Sequence, residues 1–280
     1  MLKEKAYAKI NLFLNVVGKR IDGYHDLEMI MAPLELHDLL TFKENDSSEV
    51  NITSSKVITS KKKDNVVYKV AMYLKEEFNI SKGVDITIQK NIPIAAGLAG
   101  GSADAAATIR ALNKMWKLKL NKEEMAQIGE KFGADIPFCI YNHLCIARGK
   151  GEELFFIKKK LKFPVLLINP NIKLSTKEVF DSYVSEDTKV RKISDMSAGI
   201  YNKNIDIIIR ELHNSLESSA FKMEPKIQAL KNDLIDKGLK GTLMSGSGAT
   251  VFSISKDKQK LKVVHETFGD NYTKILTRIR

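Results

Sequence analysis

The sequence predicts a protein of the α/β class (α+β), with strands and helices following one another along the chain. Three observations carry that expectation. Val84, Ile86 and Ile88 alternate with Asp85, Thr87 and Gln89, the period of a half-buried strand. Ala105, Ile109, Leu112 and Trp116 recur at helical spacing soon after. A chain of 280 residues with 44% hydrophobic content has the material for a packed core, as one large domain or two ordinary ones.

The elements follow in order. Residues 5–16 read as a strand, with Ala6, Ala8, Ile10, Leu12 and Leu14 on one face and Lys5, Tyr7, Lys9, Asn11 and Asn15 on the other. Lys9 and Asn11 on a polar face suit a strand that lines a cleft. Spacing alone favours an edge strand guarded by lysines. Gly18 to His25 is a loop by its glycines and Asp22. Residues 46–62 are polar and poorly patterned, read as a hairpin region. A helix follows from Asp64, its N-cap, to Phe78, with Val67, Val70, Ala71 and Leu74 inward. Asn121 to Phe132 is another, with Asn121 and Glu124 at capping-box spacing and Gly133 at its end. Asp135 with Pro137 opens a further helix, where Asp135 alone reads as a plain N-cap.

In the second half, the Lys158–Lys160 run and Pro164 mark a junction, giving parts of 1–160 and 161–280. A buried strand spans Val165 to Ile168 and a helix starts near Ser175. Residues 202–219 read as one helix with Ile205, Ile208, Ile209, Leu212 and Leu216 inward. Pro225 to Lys237 is the next, closed by Gly238. Leu243 to Phe252 holds a second glycine-rich loop, a tight strand connection or a second wall of amides facing a phosphate.

Composition bounds the partners. The net charge of +11 comes from scattered lysines with short runs at Lys61–Lys63 and Lys158–Lys160. Neither run is interleaved with aromatics, so a solvated surface and anionic small molecules are expected rather than nucleic acid. Cys139 and Cys145 sit in apolar contexts without metal-ligand spacing, as free thiols in a reducing cytoplasm do. No apolar run approaches the ~20 residues of a membrane span, and Lys5, Lys9 and Asn11 interrupt any leader pattern.

The stretch with chemistry is Pro93-Ile94-Ala95-Ala96-Gly97-Leu98-Ala99-Gly100-Gly101-Ser102-Ala103-Asp104. Glycine lets a backbone turn tightly and approach a ligand. The first amides of the following helix lack internal partners and carry partial positive charge. A strand, such a loop and such a helix make a phosphate cradle. Two familiar motifs fail here. A P-loop needs Lys after its last Gly, where Ser102 stands, and no Gly-x-Gly-x-x-Gly is present.

The run instead resembles the glycine-rich motif of the GHMP kinases, a family named for galactokinase, homoserine kinase, mevalonate kinase and phosphomevalonate kinase. Pro93, Gly97, Leu98, Gly101, Ser102 and Ala103 fit that motif with one inserted glycine. Gly133-Ala134-Asp135-Ile136-Pro137 resembles a second family motif, and the 243–252 loop a third, in the family's order. Ala8-Lys9-Ile10-Asn11-Leu12 with Arg20-Ile21-Asp22-Gly23-Tyr24-His25 is similar to the branch whose acceptor carries cytosine. Asn214-Ser215-Leu216-Glu217 resembles an Asn-Asp-Leu-Glu block, with Ser215 departing from it.

The resemblance implies two α/β domains, an N-terminal one like ribosomal protein S5 domain 2 and a ferredoxin-like C-terminal one. It implies an ATP-dependent small-molecule kinase acting on a hydroxyl of a diphosphocytidyl polyol in isoprenoid-precursor synthesis, with a homoserine or mevalonate type as the alternative. Asp135 is then the general base and Lys9 its cationic partner. Asn65, Lys90 and the 93–104 segment bind ATP. Asn11, Tyr24, His25, Asp135, Thr176 and Phe180 meet the acceptor, with Tyr24 and Phe180 against cytosine. Mg²⁺ would come with ATP, and Ser102 is the nearest hydroxyl to help hold it. A monomer or a homodimer is expected, with no nucleic-acid or membrane partner.

Overall fold

The computed structural model describes residues 1–59, 61–185 and 191–280. They form two compact units, one of Met1–Ala8, Leu36–Ile94 and Ala99–Asn142, the other of Lys9–Glu35, Ala95–Leu98 and His143–Arg280. Two long strands, β1 (Leu2–Lys19) and β2 (His25–Asn45), each contribute residues to both units.

In the first unit, β3 (Val50–Ser54) is followed by α1 (Val66–Glu77) and β4 (Gly83–Gln89). β3 pairs parallel with β4, from Val50 opposite Val84 to Ser54 opposite Ile88, so α1 is a crossover. This corrects the hairpin expected at 46–62, because parallel neighbours need a long connection rather than a tight turn. β4 pairs antiparallel with Leu39–Asn45 of β2. Three helices complete the unit: α2 (Gly100–Met115), α3 (Lys122–Glu130) and α4 (Ile136–Tyr141). α1 packs on α2, and α4 packs on both α2 and α3. The core is Phe42, Val70, Leu74, Ile86, Ile109, Leu112 and Phe138, all without measurable exposure or nearly so. Arg110 fastens it, with Nε on Glu4 at 2.8 Å, one terminal nitrogen on the Cys139 carbonyl at 2.7 Å and the other on the Lys5 carbonyl at 2.9 Å.

Local chemistry sets the helix starts. Asn121 and Glu124 form a reciprocal capping box on α3. The cap of α1 is Asn65, whose side chain accepts from the Val67 amide at 2.9 Å. The expected cap, Asp64, instead closes a short 3-10 turn, Lys62–Asp64. Asn65 has the extended backbone a capping residue needs, which a residue already inside a helical turn does not.

The second unit adds β5 (Cys145–Gly149), β6 (Glu153–Phe156), β7 (Pro164–Asn169), α5 (Thr176–Asp181), α6 (Ile193–Tyr201) and α7 (Ile205–Arg210). Then come β8 (His213–Asn214), α8 (Glu217–Met223), α9 (Pro225–Asp236), β9 (Thr242–Met244), β10 (Val251–Ile254), α10 (Lys258–Glu266) and β11 (Thr273–Arg278). Its antiparallel sheet runs β11-β7-β10-β9, with α9 and α10 packed on it. β5 pairs with Leu27–Met31 of β2 and with β6.

Two expectations are corrected here. β1 lies between β2 and β8 in strand order, so it is not an edge, and Lys9, Asn11 and Asn15 of its polar face are buried. The single helix over 202–219 is broken. α7 ends at Arg210, and His213 and Asn214 pair parallel with Phe13 and Leu14. Asn214 accepts from the Leu216 amide and donates to the carbonyls of Met244 and Gly246. Those distant partners outweigh helical spacing, which is a weak local preference. Among the described residues, no helix is long and apolar enough to cross a membrane.

Candidate active site

The first unit holds the amide end of α2. Ala99 occupies the N-cap position with φ 55° and ψ 30°, and no side chain caps the helix. Its first amides thus donate to no side-chain cap, and α-helical geometry leaves them without internal acceptors. The backbone leading there has positive φ at alternate residues: Ala95 at 53°, Gly97 at 72° and Ala99 at 55°. Alanine adopts positive φ at a cost of about 1–2 kcal/mol per residue, so the surroundings hold the loop. Gly101 is exposed, Ser102 half-buried, and Ala103 and Asp104 buried on the first turns of α2. Pro93 and Ile94, half-buried, lead in from Ile92, which is fully buried.

Lys90 and Asn65, polar residues expected to bind ATP, are both buried. Lys90 closes β4 with its ammonium on Asp38 and, at 2.7 Å, on Asp104 Oδ2. Asp38 Oδ1 accepts from the amides of Asn91 and Ile92 at 2.6 and 2.8 Å. Burial, with Asp38 adding to it, pushes the Asp104 carboxyl up to about 8 against the opposing pull of Lys90. Asn65 lies on the wall of a cleft of about 310 Å³ with Ile52, Ser54, Lys56, Val57, Ile58, Thr59 and Lys62. This cleft was not legible in the sequence, since residues 46–62 show no periodicity.

Asp135 stands at the start of α4 in a half-buried position, with φ −80° and ψ −12°. Its side chain makes no cap bond to that helix. The plain N-cap reading therefore fails, because a capping residue needs extended backbone to turn its oxygen onto the amides.

The second unit brings a larger group together. Lys9 Nζ donates to Asn11 Oδ1 at 2.7 Å, and the Lys9 amide donates to the Leu98 carbonyl at 3.2 Å. Asn11 Nδ2 reaches Met29 Sδ at 3.3 Å. The loop Ser245–Thr250 joins antiparallel β9 and β10, so it is a strand connection, and it also meets the other glycine segment. Ser245 Oγ donates to the Gly97 carbonyl. A side chain on Gly246 would start 3.4 Å from Lys9 Nζ, which places that ammonium against the loop. Thr176 Oγ1 and Ser247 Oγ are 2.9 Å apart, tying the start of α5 to it. Ala95 is exposed, and Ala96 and Leu98 are buried. Ser245 and Ser247 thus join the predicted residues, and their signal was the second glycine run.

His25 stacks on Phe180 with centroids 5.4 Å apart and planes 28° apart, and Tyr183 meets the His25 ring edge-on at 6.3 Å. Burial, then Lys19, lowers the His25 pKa, with Asp181 opposing. Its ring is therefore neutral at pH 7, with one donor and one acceptor nitrogen. Tyr24 is 61% exposed, with Lys150 Nζ 5.3 Å above its ring.

Comparison with known proteins identifies the family. The GHMP kinases N terminal domain model matches residues 65–143, and the GHMP kinases C terminal model matches 196–274. The chain belongs to the GHMP kinase family, with the two-domain fold of that family, an N-terminal domain like ribosomal protein S5 domain 2 and a ferredoxin-like C-terminal one. Within the family it is similar to a 4-diphosphocytidyl-2-C-methyl-D-erythritol kinase of Exiguobacterium sibiricum, 41% identical over 91% of this chain and 90% of that one. A kinase of the same name from Thermoanaerobacter pseudethanolicus is 41% identical over 97% of this chain and 93% of its own. A crystal structure of 4-(cytidine 5'-diphospho)-2C-methyl-D-erythritol kinase superposes with a TM-score of 0.85 at 27% identity, covering 99% of both chains.

Proposed function

We infer that the chain transfers the γ-phosphoryl group of ATP to the 2-hydroxyl of 4-diphosphocytidyl-2-C-methyl-D-erythritol, a step of the non-mevalonate route to isoprenoid precursors. The observation that carries this is full-length similarity to kinases of that name. The homoserine or mevalonate alternative is not favoured, since the Tyr24-His25 loop suits a base-bearing acceptor.

Phosphoryl transfer is mostly positioning and neutralisation of charge. In this reading, residues 1–160 supply the ATP-binding part and 161–280 the C-terminal part. The amides from Ala95 to Ala103 hold the ATP phosphates, which the uncapped start of α2 supports. The Asn65 cleft, with apolar Ile52, Val57 and Ile58, suits the adenine. Asp135 accepts the proton of the attacking hydroxyl, and its carboxylate is not used to cap α4. Lys9, its ammonium set by Asn11, favours the developing alkoxide. His25, Phe180 and Tyr24 grip cytosine by stacking and edge hydrogen bonds. Asn11 and Thr176 orient the rest of the acceptor.

Mg²⁺ fits the donors in one way. Among the described residues, no cluster of three or more His, Cys, Asp or Glu side chains is placed to hold a metal. The Ser102 hydroxyl would be the protein donor to a hard cation held with ATP phosphate oxygens. It would supply neutralisation of phosphate charge. The two cysteines, both free and buried, suit a cytoplasmic protein.

A coupled assay of ADP release with three acceptors tests the reading. ADP release with the diphosphocytidyl acceptor, and not with homoserine or mevalonate, is the expected result. Release with either of those instead, or with none of the three, would overturn it.

A further inference from the structure

Asp38 lies on β2 with no exposed surface, among apolar neighbours of the strand. A buried carboxylate is tolerated only when its oxygens find donors. Asp38 finds three: the amides of Asn91 and Ile92 on Oδ1 and the Lys90 ammonium on Oδ2. Lys90 passes the connection on to Asp104, on the first turns of α2. Asp104 Oδ1, by contrast, has no partner. Burial, the largest cause, raises the pKa of that carboxyl.

Apolar residues of similar volume would stabilise the fold as well as a buried ionic cluster. What the cluster adds is geometry. Asp38 fixes the turn at Asn91 and Ile92, immediately before Pro93. Gly100, the first residue of α2, sits on the same group, since a Cβ there would lie 3.0 Å from Ile92 Cγ2 and 3.5 Å from Lys90 Nζ. Both ends of the phosphate-loop segment that belong to the first unit are therefore referred to one carboxylate.

We propose that Asp38 is a positioning residue for ATP: it holds the chain before Pro93 and the amide end of α2 in mutual register. This rests on the reading that these amides receive the ATP phosphates. The role needs no contact between Asp38 and nucleotide.

The test compares wild type, Asp38→Asn and Asp38→Glu as full-length proteins. Steady-state KM values for ATP and for the diphosphocytidyl acceptor are measured, together with the Kd for ADP by calorimetry. In Asp38→Asn the ATP KM and ADP Kd rise about tenfold, the scale of one lost charge-assisted hydrogen bond. The acceptor KM stays within about twofold, as for an independent site, and Asp38→Glu recovers part of the ATP affinity. A merely structural role would lower thermal stability and leave the two KM values unmoved, or move them together. Either pattern would overturn the proposal. If Asp38→Asn does not fold, Asp38→Glu carries the comparison alone: a selective rise in ATP KM supports it, and an unchanged value overturns it. Wild type that binds ADP while Asp38→Asn binds it equally well overturns this proposal alone. Wild type that binds no ADP overturns the functional reading beneath it.

Discussion

Ser245 Oγ donates a hydrogen bond to the Gly97 carbonyl at 3.0 Å, joining two glycine-bearing loops 148 residues apart in sequence. The approach leaves no room for a side chain. A Cβ on Gly97 would lie 2.1 Å from the Ser245 carbonyl oxygen and 2.8 Å from that of Gly248. Gly97 also has φ +72°, where an L side chain is strained. Gly97→Ala should therefore destabilise the protein by about 2–5 kcal/mol, combining overpacking with left-handed strain. Denaturant unfolding measures it directly, and a loss below ~1 kcal/mol would mean that the two loops do not need this close fit. Ser245→Ala should cost only about 1 kcal/mol, the net worth of one hydrogen bond.

Asp135→Asn separates chemistry from folding. Turnover should fall ~10²–10⁴-fold, the usual contribution of a general base. The melting temperature should hold, because this side chain does not cap α4. A variant that keeps near-normal kcat would remove Asp135 from the base role. One that melts much earlier would point to a structural duty instead.

What was legible in the sequence had local causes. The capping box of Asn121 and Glu124, the glycine-led start of α2 and the start of α4 at Pro137 each depend on a few consecutive residues. The misread features depend on distant ones. Lys9 and Asn11 look like a solvent face until Leu98 and Gly246 are placed against Lys9, and Met29 against Asn11. The helix expected over 202–219 breaks because Asn214 serves the carbonyls of Met244 and Gly246. Lys90 passes for surface charge, since its partners Asp38 and Asp104 lie 52 and 14 residues away. Asp38 itself gives no signal, being one of five acids along β2 with nothing local to mark it as the buried one.

Tyr24→Ala should raise KM for the diphosphocytidyl acceptor and spare KM for ATP. Tyr24 is mostly exposed, so unfolding should change by no more than about 0.5 kcal/mol. Phe180→Ala should act in the same direction, since that ring already stacks on His25. Equal acceptor KM values in wild type and both variants would place the cytosine elsewhere.

Acid should weaken the fold through His213. Burial, then Arg191 and Lys231, lower its pKa to about 4. The unfolded chain takes up this proton near pH 6.5 while the folded chain refuses it. The stabilisation is thus complete above pH ~6.5 and is lost as pH falls toward 4, by up to about 3 kcal/mol. Asp104 acts with the opposite sign. Its raised carboxyl keeps a proton that the unfolded chain releases near pH 4, so its contribution declines as pH rises from about 4 to about 8. Urea unfolding of His213→Gln between pH 4 and 7 should lose most of the acid step, and Asp104→Asn should flatten the alkaline one. Slopes identical to wild type would contradict both assignments.

The most direct test of the central claim is phosphorus NMR of the reaction of ATP with 4-diphosphocytidyl-2-C-methyl-D-erythritol. The account predicts one new phosphomonoester on the 2-hydroxyl, formed in step with ADP, with the acceptor's diphosphate intact. No new phosphomonoester, or one on a different hydroxyl, would contradict it.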